Sequence, residues 1–404
     1  MRKQLLWIAG TALCLSSCQD EMSADVLSET TDAQAIAAAS QFGALPRDAR
    51  MNDGRENRRR DRENLGRLLF YDPILSGEKD VSCATCHHPD FGYGDGRDLP
   101  IGVGGRGLGP SRFDGVNDDI GIVGRNAPTV INTAFNGIDP NGNFNPNNAP
   151  MFWDNRANSL EEQALGPPHS FEEMRGHAFA EDVTLDSLVA RLQANDEYRD
   201  LFRRAFDGPN PITSDNMATA IADFERSILA TNSPFDRFVR GDNNAMTQQE
   251  KTGLIAFVDA GCDACHSGPM FSDYALHALG VPEHPLRDAP DAGANGTYRF
   301  RTPTLRNLDF TGPYFHNGIA GTLAEVMQHY LISQEAAQQG GSPSFNPNVP
   351  ELSPALAAQT LQQSQVDDII AFMGALNDPD FDRDVPNRVP SGLQVGGLIG
   401  NQPN

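Results

Sequence analysis

The sequence predicts a mainly α-helical fold built from two similar domains in tandem. Two observations carry this. The pentapeptide CxxCH occurs twice, as Cys83-Ala84-Thr85-Cys86-His87 and as Cys262-Asp263-Ala264-Cys265-His266, and a stretch with helical periodicity precedes each copy. CxxCH attaches a c-type haem: the two thiols form thioethers to the vinyl groups, and the adjoining His stands against one face of the iron. Zinc ribbons and redox-active CxxC pairs share the cysteine spacing but do not require His after each pair. Each domain is therefore expected to hold one covalently bound haem c, through Cys83, Cys86 and His87 in the first and Cys262, Cys265 and His266 in the second. Of six cysteines only Cys14 and Cys18 remain, and both lie near the N-terminus.

Taken in order, the chain opens with Arg2 and Lys3 ahead of a mostly apolar run from Leu5 to Leu15. The run is too short to span a bilayer and reads as a secretory leader. Leu15-Ser16-Ser17-Cys18 resembles a bacterial lipobox, so residues 1–17 are expected to be a lipoprotein signal peptide, with Cys18 carrying a lipid anchor to the membrane. An ordinary signal peptide cleaved nearby is the alternative. Gln19 points to the outer membrane, and export to the periplasm agrees with haem attachment outside the cytoplasm. Residues 18–46 are acidic, rich in Ala, Ser and Thr, and read as a flexible tether.

Arg58 to Leu69 places Leu65, Leu68 and Leu69 on one helical face, and Asp72-Pro73 ends that helix before the first CxxCH. Residues 91–124 form a Gly-rich loop containing Gly102-Val103-Gly104-Gly105-Arg106-Gly107. With no strand before it and no helix after it, this is not a dinucleotide site; it is expected to wrap the first haem or cover its entrance. Residues 126–150 read as irregular. Ser159 to Ala164 starts a helix with Ser159 and Glu162 in capping-box spacing. Residues 185–194 and 214–230 read as helices, the second with an apolar stripe of Met217, Ile221, Phe224 and Ile228. Residues 235–244 read as the interdomain connection. Thr247 to Ala260, capped by Thr247 with Glu250, leads straight into the second CxxCH. Residues 323–331 and 366–376 complete the helices. The result is two cytochrome c-like domains, at 47–240 and 241–380, with a mobile Pro-, Gly- and Asn-rich tail at 381–404.

The formal charge is −23, and removing a leader that holds Arg2, Lys3 and no acid makes it −25. Nucleic acid is therefore not the partner. A basic electron donor or basic protein substrate would be steered well, though such charge also serves solubility alone.

Further motifs accompany the haem sites: Leu65-Gly66-Arg67-Leu68-Leu69-Phe70, Arg125-Asn126-Ala127-Pro128-Thr129, Phe152-Trp153-Asp154, Leu160-Glu161-Glu162-Gln163-Ala164-Leu165-Gly166-Pro167, Thr302-Pro303-Thr304-Leu305-Arg306-Asn307 and Pro313-Tyr314-Phe315-His316-Asn317-Gly318. With them the chain resembles the bacterial di-haem cytochrome c peroxidases and their MauG-type relatives, over residues 65–376. The resemblance implies that the N-terminal haem reacts with hydrogen peroxide and the C-terminal haem passes electrons.

In those peroxidases a His from the loop before the Arg-Asn-Ala-Pro-Thr motif blocks the resting first haem. This chain has nine His and none between His88 and His169, so the loop cannot supply that ligand and the first haem is expected to be open without reductive activation, as in MauG-type proteins. The resemblance places the distal acid–base carboxylate at Glu173, with Gln163 and Pro167 lining the same pocket. Glu172 is the alternative in a register slipped by one, and a plain surface acid is the competing reading. Trp153 matches a residue between the haems that relays electrons or holes, against the reading of a packing Trp.

On the second haem the peroxidases use a Met, the ninth residue of a helix beginning Thr-Leu; counting from Thr322 reaches Tyr330, with Met327 and His329 as competitors. Phenolate stabilises the higher oxidation states of iron, whereas thioether raises the potential. The resemblance also implies a calcium ion held by the Asn126 side chain and the carbonyls of Thr311 and Pro313. It leaves His316 as either a propionate contact of the second haem or a structural residue.

Three functions follow from these residues. The first is a MauG-like oxidoreductase that activates peroxide and oxidises a protein or electron-donor substrate. The second is a peroxide scavenger fed by a small cytochrome c or cupredoxin. The third is a non-catalytic electron-transfer cytochrome. The missing loop His and Tyr330 favour the first over the second, and Glu173 argues against the third.

Overall fold

The computed structural model describes residues 24–49, 56–115, 119–342 and 346–397. The segment expected to be a signal peptide and Cys18 lie outside them. Among the described residues the architecture is helical, with just two short antiparallel ladders, Gly105–Arg106 with Phe113–Asp114 and Leu276–His277 with Phe300–Arg301.

Both halves are built around the same helix crossing. In the first, Glu56–Tyr71 packs across Ser214–Glu225; in the second, Gln248–Asp259 packs across Val366–Gly374. A glycine makes each crossing possible. A Cβ on Gly66 would lie 1.8 Å from the Ala220 carbonyl oxygen and 2.9 Å from Phe224 Cβ, and one on Gly253 would lie 1.8 Å from the Asp368 oxygen and 2.9 Å from Phe372 Cβ. Absence of a side chain lets the backbones touch, and the same contact recurs in both halves. Leu65, Leu69, Phe70, Met217, Ile221 and Phe224 are buried in the first core. The second is aromatic, with Phe235, Phe257, Phe271 and Phe372 packed edge to face. Thr247 caps the second-half helix through the capping box expected, its oxygen accepting from Glu250 N.

The helix Asp196–Ala205 has no counterpart among the sequence expectations. Its buried Tyr198, Leu201, Phe202 and Ala205 follow a helical stripe, and Asn195 caps it. The helix expected at 214–230 stops at Glu225, and that expected at 323–331 extends through Leu323–Gln338.

Both chain ends depart from expectation. Instead of a flexible tether, Ala24–Ala39 is a helix, and Ala35, Ala39 and Phe42 belong to the second core. Phe42 is wholly buried and stacks on Phe271 at 4.6 Å, and Asp32 pairs with Lys251 at 2.8 Å. Instead of a mobile tail, residues 381–397 pack on the first half, where Phe381, Val389 and Val395 enter the core. Buried Asp72 anchors this strap, accepting from Ser391 Oγ at 2.6 Å and Tyr198 Oη at 2.6 Å. Gly396 N then donates to Tyr71 O at 2.8 Å. The expected connection at 235–244 is also part of the second half, because helix Pro234–Val239 buries Phe235 and Phe238 there and its Asp236 takes both guanidinium nitrogens of Arg306. Each end of the chain thus completes the opposite half.

Candidate haem sites

Cys83–Cys86 is a single helical turn after Ser82, and the i,i+3 spacing puts both thiols on one side. His87 Nδ1 donates to the Tyr93 carbonyl at 3.0 Å, which leaves Nε2 as the metal-binding nitrogen. The second site repeats this: His266 Nδ1 donates to the Phe271 carbonyl at 3.0 Å. Tyr93 and Phe271 both adopt positive φ, 57° and 52°, turning their carbonyls back onto the imidazoles. Burial lowers the pKa of both imidazoles, His266 to about 4, and so favours the neutral form that ligates metal. Both sites fit the haem expected of them. His88 is committed elsewhere. Its Nε2 meets the Gly397 carbonyl at 2.8 Å, so the C-terminal strap holds it away from the iron position.

Glu173 lies on a one-turn π-helix, Phe171–Arg175, whose Ser170 Oγ accepts from Glu173 N at 3.4 Å. Burial raises the Glu173 pKa above its ordinary 4.5, opposed by Arg156 and supported by Glu172. The Gly-rich loop lies directly over this turn. Val103 N donates to the Glu172 carbonyl at 3.2 Å, and a Cβ on Gly102 would sit 2.4 Å from the Glu173 backbone carbonyl oxygen. Arg112 is buried beneath the loop and donates to Ile101 O, Gly102 O and Gly107 O at 2.6, 2.6 and 2.9 Å. The glycines thus serve close approach to the Glu173 turn. Gln163 and Pro167 lie on the two short helices leading to that turn, Leu160–Ala164 and Gly166–His169.

Two buried acids near the first site escaped the sequence reading. Among the described residues Glu225 Oε2 has no hydrogen-bond partner, and burial raises its pKa to about 8. Its signal was an acid within a buried helical arc that also holds Ile221 and Ala222. Asp95 Oδ2 is likewise unpartnered, and burial raises its pKa to about 7; no periodicity marks it.

The second site opens into a largely apolar cavity lined by Cys262, Cys265, His266, Met327, Tyr330 and Trp153, among others. Tyr330 Oη stands 3.5 Å from His266 Nε2. The phenol oxygen and the imidazole nitrogen thus face each other in the cavity, two donors of the kind that would hold a metal between them. His329 points away and meets the Leu279 carbonyl at 3.0 Å and Ser333 Oγ at 3.2 Å. Met327 borders the cavity from the hydrophobic core.

The segment Arg125–Thr129 links the two sites. The Pro128 carbonyl contacts the His87 ring, and the Asn126 carbonyl accepts from Trp153 Nε1 at 2.9 Å. Trp153 is buried. Arg125 clamps the halves, with bonds of 2.7 and 2.9 Å to Asp291 and 2.8 Å to Asp154. Asn126 spends its amide nitrogen on Arg97 O at 2.8 Å, leaving Oδ1 free to bind a cation. Thr311 and Pro313 border the same cavity, and among the described residues no donor meets their carbonyls. An amide oxygen and two backbone carbonyls are donors of the kind calcium takes. His316 stacks on Phe300 at 3.6 Å, and burial holds its pKa down to about 3.

Two CxxCH turns, two carbonyl-oriented histidines and a Trp-bearing segment between them define a di-haem c-type oxidoreductase. The comparisons narrow the class. Residues 60–244 match the family model described as di-haem cytochrome c peroxidase. The chain is 33% identical over 323 residues to the methylamine utilization protein MauG of Methylophilus methylotrophus, covering 78% of this chain and 82% of that protein. It is 36% identical to the cytochrome c551 peroxidase of Pseudomonas aeruginosa, covering 72% and 77%. Among solved structures, a MauG-like protein associated with microbial copper homeostasis matches with a TM-score of 0.63 and 25% identity, covering 83% and 93%. The diheme peroxidase BthA from Burkholderia thailandensis shares the fold, with a TM-score of 0.58, 22% identity and coverage of 78% and 86%. The chain belongs to the di-haem cytochrome c peroxidase and MauG family; it is an oxidoreductase carrying two c-type haems.

Proposed function

We propose that this protein activates hydrogen peroxide at the first haem and holds the resulting oxidising equivalents across both haems to oxidise a protein or electron-donor substrate, in the manner of MauG. The haems supply the redox chemistry; the chain supplies proton transfer, a route between the sites and the ligand field of the second iron. The observation that carries the reading is Tyr330 Oη facing His266 Nε2 at 3.5 Å. A hard anionic oxygen there favours the oxidised metal, whereas a Met would favour reduction by a high-potential donor.

Glu173 takes a proton from the near oxygen of peroxide and returns it to the departing oxygen. Burial raises its pKa above the ordinary carboxylate value, which eases return of the proton. Gln163 and Pro167 border the same pocket, and Arg112 holds the loop that excludes water from it. Trp153, hydrogen-bonded to the segment that touches His87, carries electrons between the sites. Two electrons and two protons complete the conversion of peroxide to two waters. The acidic surface draws a basic partner, either the protein substrate or a small cytochrome c or cupredoxin. Asn126, Thr311 and Pro313 hold calcium between the halves. Export to the periplasm with an outer-membrane lipid anchor at Cys18 completes the reading.

Peroxide added to the fully ferric protein tests this. A long-lived oxidised state, formed without prior reduction and discharged by a substrate, is the expected result. Reaction with peroxide only after one-electron reduction would make the protein a donor-driven scavenger instead.

A further inference from the structure

Among the described residues three arginines are 7% exposed or less, and in two of them every guanidinium nitrogen has a partner. Arg306 gives its guanidinium to both oxygens of Asp236, at 2.8 and 3.1 Å, and its Nε to Pro269 O at 2.7 Å. Arg112 gives its donors to three carbonyls. Arg301 is different. It is 7% exposed, and its Nε donates to Phe152 O at 2.9 Å. No carboxylate among the described residues pairs with it, and burial lowers its pKa with only Tyr274 opposing. A guanidinium has five N–H donors, and a buried cation with unused donors is costly unless an anion meets it. Arg301 borders the cavity around Cys262, Cys265 and His266.

We propose that Arg301 is the anion-binding residue of the second haem pocket: its terminal nitrogens take a propionate carboxylate, fix the haem plane against Trp153 and set the potential of that haem. The geometry gives it a second hold. Its backbone N–H donates to the Trp153 carbonyl at 2.7 Å, and its Nε donates to the carbonyl just before Trp153. One residue therefore ties the backbone of Trp153 to the carboxylate edge of the haem. A planar fork matches a carboxylate better than a point charge, which explains an Arg at this position. Neutralising a propionate beside the iron disfavours the ferric state, so the cation raises the potential of the second haem. Arg301 is a positioning residue and takes no part in proton transfer.

The test is the reduction potential of each haem in the purified di-haem protein and in its Arg301→Gln and Arg301→Lys variants, with haem count by mass. In R301Q the Fe(III)/Fe(II) equilibrium of the second haem is expected to shift at least tenfold toward Fe(III), 59 mV for one electron, while the first haem keeps its potential. R301K, which retains the charge, is expected to stay within threefold of the parent. If R301Q loses the second haem while R301K keeps it, the proposal is also supported. A second-haem potential unchanged in R301Q overturns it. So does an equal shift in R301K, which would make charge irrelevant, or loss of helix content in both variants, which would make Arg301 a folding residue only. The readout is a potential, so the proposal can fail while the peroxide reading stands, and the reverse.

Discussion

Replacing Glu173 with Gln keeps the shape of the side chain and removes its ability to accept a proton. In the structure Glu173 lies on a one-turn π-helix whose backbone packs against Gly102–Val103, and its main cationic influence, Arg156, is engaged with Asp154 at 2.8 Å and with the Phe152 ring at 3.5 Å. Its neighbour Glu172 turns toward Ser170, with Oε2 at 3.5 Å from its Oγ. Positioned acid–base groups contribute about 100- to 10,000-fold, which is about 3–5 kcal/mol of barrier. The E173Q variant should therefore react with peroxide slower by that factor, as followed by stopped-flow absorbance of the ferric haems. The pH profile supplies an independent readout. Glu173 must be unprotonated to accept the peroxide proton, so the rate should rise with pH through a midpoint above the ordinary 4.5. E173Q should lose that limb. A variant within threefold of the parent, with the limb intact, would refute the assignment.

Other outcomes follow from the same structure. Ferric protein should show one high-spin and one low-spin haem by electron paramagnetic resonance, and two low-spin signals would contradict an open first site. Tyr330→Met should raise the second haem's potential, whereas an unchanged potential removes Tyr330 as ligand. Trp153→Phe should leave peroxide binding intact and slow substrate oxidation; normal turnover would end the relay assignment. Phe42→Ala should cost about 3–5 kcal/mol, read as a lowered denaturant midpoint, because Phe42 is a wholly buried part of the second core. A change below about 1 kcal/mol, the scale of most surface substitutions or less, would return the N-terminal segment to the role of a tether.

Much of this architecture was legible because local signals agree with it. The CxxCH turns, the capping box at Thr247 and the stripe Met217–Ile221–Phe224 each specify their own structure. Family motifs pointed to Tyr330, and the structure turns its competitor His329 toward Leu279 O. The ends were misread for a common reason. Residues 24–39 are Ala-rich and acidic, and 381–397 rich in Pro, Gly and Asn, so composition alone marks both as loosely held. Their order comes from a few long-range anchors, Phe42 on Phe271 and Ser391 on Asp72, that no local pattern announces. Arg301 and Asp95 were invisible for the same reason: what marks them is a polar atom left over in three dimensions, not a local pattern. Glu225 could have been found as an acid in an apolar arc.

The most direct measurement of the central claim is the addition of stoichiometric peroxide to the fully ferric protein, followed by absorbance and electron paramagnetic resonance. The account predicts that both haem signals change together, without prior reduction, into an oxidised state that persists until an electron donor is supplied. No reaction until the second haem has first been reduced would contradict it.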